Sequence, residues 1–225
     1  MTRAPKPPAS KAAPRRRGAS PEKTAATRRA LSRAALDIFL ERGFSATRMS
    51  DVATRAGLAK GTIYLHFTDK AALFEDVLRE VMRDTLAGRP MQRPRRDETT
   101  RAFLQRVVVP VLRELQASGR FGVVRLVMAE GPHFPELAAV YRRVAIEPVL
   151  RWVRLIAARA SARGELRSDA LSRLPMLLVA PAVMAALWNG LYSATEPLDV
   201  ASVFDTFLEL LFVAPPPGRP RAARG

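Results

Sequence analysis

Around Lys60–Lys70 the chain sets groups able to bond phosphates and base edges beside two apolar anchors. A helix is expected to start near Ala59. Rotated by about 100° per residue, it turns Ile63 and Phe67 inward and leaves Gly61, Thr62, Tyr64 and Leu65 outward, with Lys60 at its N-terminal flank. A ring, a hydroxyl and a bare glycine make a poor solvated face. They suit a surface laid into the major groove of duplex DNA. There Gly61 lets the backbone approach the bases, Thr62 and Tyr64 offer hydroxyls, Lys60 offers charge to a phosphate or guanine, and Leu65 can meet thymine methyls.

The elements that must position this face lie on either side. A short helix with Met49, Val52, Ala53 and Ala56 on one face precedes it, with Thr47 as the expected cap. Ala56-Gly57-Leu58 joins the two as a helix–turn–helix, Gly57 turning the chain without a Cβ penalty. Upstream, Ser20-Pro21-Glu22 reads as a helix start, Leu31, Ala35, Ile38 and Phe39 recur at helical spacing, and Gly43 is the expected C-terminal cap. Downstream, Thr68-Asp69 restarts a helix carrying Leu73, Val77 and Val81.

The run Ala34-Ala35, Phe39, Gly43-Phe44, Thr47, Asp51-Val52-Ala53, Ala56-Gly57-Leu58, Lys60-Gly61-Thr62-Ile63-Tyr64, His66-Phe67, Lys70 and Leu73 is long and colinear. Over residues 27–77 it resembles the DNA-binding domain of the TetR family of bacterial transcriptional regulators. The resemblance implies that Lys60, Gly61, Thr62 and Tyr64 lie on the recognition helix and that Thr47, Tyr64, His66 and Lys70 meet the DNA backbone. Ser50 departs from the Arg or Lys of many members, which implies a phosphate contact either weakened or shifted to Arg48. For His66 the alternative is closing the helix end; for Lys70 it is a solvated face. Arg125–Leu137 is similar to a helix and turn in the ligand domain of some of these regulators.

The remainder reads as helices over 97–118, 120–129, 134–163, 168–193 and 199–213, with Pro110 and Pro148 expected to kink or break them. The expected fold is all-α: an N-terminal three-helix helix–turn–helix domain and a larger helical ligand-binding and dimerisation domain, about nine helices in all. The expected divisions are a disordered basic tail at 1–22, the DNA-binding domain at 23–88, a Pro/Arg linker at 89–96, the second domain at 97–213 and a disordered tail at 214–225. The resemblance implies an apolar or amphipathic effector in the second domain. Met128, Phe134, Trp152, Met184 and Trp188 are candidates to touch it, against the ordinary role of such side chains in a core. Leu174–Thr195 has 22 residues without a charge, read as a buried helix rather than a membrane span. Together with the apolar residues of 199–213 it is more than a monomer hides. The resemblance places a homodimer interface there, with Leu187, Leu191, Phe204, Leu208 and Leu211 as candidates.

Composition excludes several classes. With no cysteine and only His66 and His133 as histidines, thiol catalysis, disulfide scaffolds, iron–sulfur clusters and cysteine- or histidine-rich metal sites are out. No P-loop, dinucleotide fingerprint or nucleophile elbow is present, so neither an enzyme nor a cofactor is expected. Of the net charge of +16, the first 30 residues hold nine basic against one acidic residue, whereas 31–90 hold nine against eight. The expected partners are an operator in double-stranded DNA, a small effector and a second copy of the chain, in the cytoplasm. Charge alone also fits a nonspecific nucleic-acid binder, and repression and activation remain open.

Overall fold

A computed structural model describes residues 20–86 and 92–213. The expected tails and the centre of the expected linker lie outside those residues. Helix α1 (Pro21–Ala46) starts where the sequence indicates: the Ser20 hydroxyl accepts from the Lys23 amide at 3.3 Å, and Pro21 occupies the first helical position. Gly43, at φ 84°, interrupts the helical path, and the residues after it form one further turn. Helix α2 (Met49–Arg55) and a 3₁₀ turn (Ile63–Leu65) follow. Helix α3 (Lys70–Leu86) is capped by Asp69, whose carboxylate accepts from the Ala72 amide at 2.8 Å.

The second half contains α4 (Thr100–Ala117), α5 (Gly122–Glu130), α6 (Pro135–Tyr141), α7 (Glu147–Ala162), α8 (Ala170–Arg173), α9 (Ala180–Tyr192) and α10 (Val200–Leu211). Among the described residues no strand is formed; one isolated antiparallel bridge joins Leu166 and Phe212. The two prolines expected to kink or break helices behave differently from each other. Pro110 sits inside α4 without ending it. Pro148 lacks the amide that would pair with Val144, and the chain widens just before it into a π-helical turn at Arg142–Ile146, closed by the Glu147 amide on the Arg142 carbonyl. The helix expected over 168–193 is instead α8, a 3₁₀ turn (Pro175–Leu178) and α9. Pro175 forces Leu174 out of the helical region, to φ −128° and ψ 75°.

Two apolar clusters hold the fold. The first joins α1, α2, the 3₁₀ turn and α3 to Val123, Leu126 and Val127 of α5 and Leu137 and Val140 of α6. At its centre Phe44 packs against Phe39, Phe74 and Phe134, with ring centroids 5.3–6.0 Å apart. The second gathers α4, α7, α8, α9 and α10 around Phe103, Val153, Leu178, Phe204 and Leu208. Phe204 and Leu208, expected at a dimer surface, are 2% and 0% exposed within one chain. They are core, because α10 turns its strongest apolar face toward α4 and α9. Leu187 and Leu211 are half-buried, and Leu191 is exposed beside the exposed Met184. Among the described residues no helix is long and apolar enough to cross a membrane.

Candidate nucleic-acid interface

Ile63 and Phe67 are buried, as their spacing predicts, against Val52 and Ala53 of α2. Gly57, at φ 70°, makes the turn between them, and the Leu58 amide donates to the Ala53 carbonyl at 2.9 Å. The Arg28 guanidinium lies 4.9 Å from the Phe67 ring centroid while paired with Asp76 at 2.8 Å, so α1 and α3 clamp the far end of the segment.

The segment itself is not the α-helix expected from Ala59 onward. The Thr62, Leu65 and His66 amides donate to the carbonyls of Ala59, Thr62 and Ile63, three residues back in each case. The Phe67 amide reaches Ile63, the i–4 partner, at 2.9 Å. Glycine, β-branched Thr62 and Ile63 and aromatic Tyr64 all propagate an α-helix poorly, so the run closes in tighter turns. Tertiary burial of Ile63 and Phe67 then fixes its orientation. Lys60, Gly61, Tyr64 and Leu65 project into solvent, and Leu65 is 83% exposed. Thr62 and His66 are half-buried at the edge of the face, and Arg48 is exposed at the start of α2.

Two residues expected at the DNA backbone are bonded within the protein. Thr47 is 3% exposed, and its hydroxyl donates to the Gly43 carbonyl at 2.6 Å. It closes the end of α1 and does not cap α2. The Lys70 ammonium donates to the carbonyls of Phe44, Ser45 and Thr47 and sits 4.5 Å from the Phe44 ring centroid. Burial pushes this lysine down from its usual range, with Glu130 and Glu136 pulling the other way. Its donors are spent inside the protein, as the ends of helices demand.

The same turn is gripped from its other side. After the break at Gly43, the chain path of α1 changes, and the Phe44 and Ser45 amides turn toward α5. The carboxylate of Glu130, the last residue of α5, accepts both, at 2.7 and 2.6 Å. A Cβ on Gly43 would stand 2.3 Å from a Glu130 oxygen, so only glycine admits the contact. Sequence reasoning missed Glu130. The available signal was an acidic residue at the C-terminal end of a helix, where the macrodipole opposes it unless donors are waiting.

The five effector candidates are spread over the molecule. Phe134 belongs to the aromatic centre beneath the helix–turn–helix, a correction to its expected place in the second domain's interior. It is drawn there because the turn after α5 returns toward Phe44. Met128 and Met184 are exposed. Trp152 packs against Phe103 at 6.3 Å in the second cluster, and the Trp188 indole donates to the Glu196 carbonyl at 2.8 Å beside Tyr192. His133 is exposed in the turn.

An exposed polar and aromatic face on a buried helix–turn–helix, followed by an all-helical second half, defines a DNA-binding regulator class. Residues 31–77 match the family described as bacterial regulatory proteins, tetR family, and residues 94–207 match the tetracyclin repressor-like C-terminal domain. The chain belongs to the TetR family. The transcriptional repressor KstR2 of Mycolicibacterium smegmatis is 38% identical over 73 residues, 32% of this chain and 35% of its own. The transcriptional regulator BetI of Burkholderia mallei is 29% identical over 165 residues, 71% of this chain and 78% of its own. Among solved structures, TylP, a TetR regulator from Streptomyces fradiae, superposes with a TM-score of 0.63 at 28% identity, covering 86% of this chain and 89% of that one. The chain thus spans about a third of the length of KstR2 and most of BetI.

Proposed function

We propose that this protein is a homodimeric transcriptional repressor that binds a pseudo-palindromic operator and leaves it when a small apolar or amphipathic effector occupies the second domain. The observation that carries this is the face of Lys60, Gly61, Tyr64 and Leu65, held in water by the burial of Ile63 and Phe67. A solvated surface has no use for an exposed leucine and tyrosine beside a bare glycine; a major groove does. Arg48, Thr62 and His66 flank that face and supply backbone contacts. Two such faces would enter successive major grooves roughly 34–36 Å apart. Leu187 and Leu191, with Met184 beside them, make the α9 surface on which a second copy would close. Trp152 and Trp188 remain the aromatic candidates to meet an effector, which would act by its differential affinity for two states of the dimer. The protein would work in the cytoplasm, where its DNA is.

The test is a salt titration of binding to a selected duplex site and to random duplex. Sequence-specific recognition predicts a gap of about 10³-fold or more that persists as salt rises. Equal affinity on both at every salt concentration would leave only the nonspecific binder driven by charge.

A further inference from the structure

The turn between α1 and α2 is held by two side chains from other helices. Lys70 of α3 takes its carbonyls and Glu130 of α5 takes its amides. Lys70 belongs to the same unit as the turn. Glu130 belongs to the second half of the chain, 86 residues from Phe44 in sequence. Its contact is two-toothed: one carboxylate oxygen on each of two successive amides. A single hydrogen bond lets a peptide plane pivot; a pair on adjacent amides fixes its direction as well as its distance. Phe134, four residues beyond Glu130, packs against the Phe44 ring from the same turn. Gly43 completes the arrangement by leaving the carboxylate room.

We propose that Glu130 is a positioning residue for DNA binding: by fixing the Phe44 and Ser45 amides it sets the angle at which the recognition face leaves the second domain, and so the half-site spacing the dimer accepts. This rests on the dimeric reading above. Within one protomer the fold of the helix–turn–helix is secured by Ile63, Phe67, Val52 and Lys70. What Glu130 adds, beside the apolar packing of α5 and α6 on the same cluster, is a directional polar link to the second half of the chain. Its removal should therefore loosen geometry between faces more than it weakens any single face.

Duplex sites are selected from a random pool with the wild-type protein, then remade with one base pair added or removed at the centre. Wild type, Glu130→Gln and Glu130→Asp are compared on all three lengths, with circular dichroism confirming the fold. Gln keeps the volume but presents an amide donor to one of the two N–H groups; Asp keeps both acceptors on a shorter stem. For wild type, altered spacing should cost at least about tenfold in affinity. For Glu130→Gln, affinity on the original site should fall about tenfold while the penalty for altered spacing shrinks to about threefold or less. Glu130→Asp should lie between them, and it carries the test should the glutamine variant not fold. A variant that keeps wild-type affinity and spacing preference overturns the proposal. So does equal weakening on all three lengths, which marks Glu130 as a local structural residue. If wild type selects no site, it is the sequence-specific reading that fails.

Discussion

Tyr64 and Leu65 are kept in water by the anchoring of their neighbours, so their loss should cost binding and not stability. Tyr64→Ala is expected to lower affinity for a selected duplex at least about tenfold, read by fluorescence anisotropy, with the melting temperature and oligomeric state unchanged. Gly43→Ala should cost stability as well as binding. At φ 84° and with a Glu130 oxygen 2.3 Å from the new Cβ, it should destabilise the fold by about 2 kcal/mol or more in urea denaturation. At this scale the sequence showed which side chains point in: Ile63 and Phe67 are apolar four apart, and one rotation places them. It did not show Thr47 and Lys70 turned to the end of α1, because that depends on where Phe44, Ser45 and Thr47 lie in space. The family resemblance alone made both residues candidates for phosphate.

Element boundaries depended on local chemistry where it is strong. Ser20-Pro21, Gly57 and Asp69 start or stop elements as expected, since capping and positive φ are properties of one or two residues. The recognition segment was legible as a turn-flanked amphipathic run, but its shortening to 3₁₀ turns was not. The apolar period is too short there to separate three residues per turn from 3.6. The start of α4 gives a pH test. Glu98 pairs with Arg106 at 2.7 Å, and this bond holds its carboxyl at about 2, below the usual 4.5. A lowered carboxyl stabilises the fold fully above its unfolded value and loses that contribution as pH falls through its folded one. The stability difference between wild type and Glu98→Gln should be constant above pH 4.5 and close between 4.5 and about 2, measured by denaturation at a series of pH values.

Charge acts on the whole molecule. Residues 31–90, which carry the recognition face, are nearly neutral, whereas residues 1–20 contain six Lys or Arg and no acid. Specificity then rests on a few placed groups, and the N-terminal residues should add general attraction to phosphate. Deleting residues 1–20 is expected to flatten the dependence of log affinity on log salt, by up to about 0.9 for each phosphate that the arm had neutralised, with the ratio of selected to random duplex preserved. The all-α architecture was legible from period and punctuation. The way two halves share a core was not, since no local pattern says that α5 and α6 fold back onto α1 and α3.

That shared core bears on how such a chain can be recombined. The apolar cluster beneath the recognition face draws on residues 31–81 and then on 123–140, while α4, lying between them in sequence, packs into the other cluster. A single crossover near residue 90, made to exchange a DNA-reading head between relatives, therefore cuts through a core. A graft that ends there would meet the recipient's counterparts of Val123, Leu126, Val127, Leu137 and Phe134, side chains that its own core was not shaped to pack against. A working chimera needs joins on both sides of α4, or must carry α5 and α6 along with the head. Swapped heads should thus travel with the turn that holds Glu130.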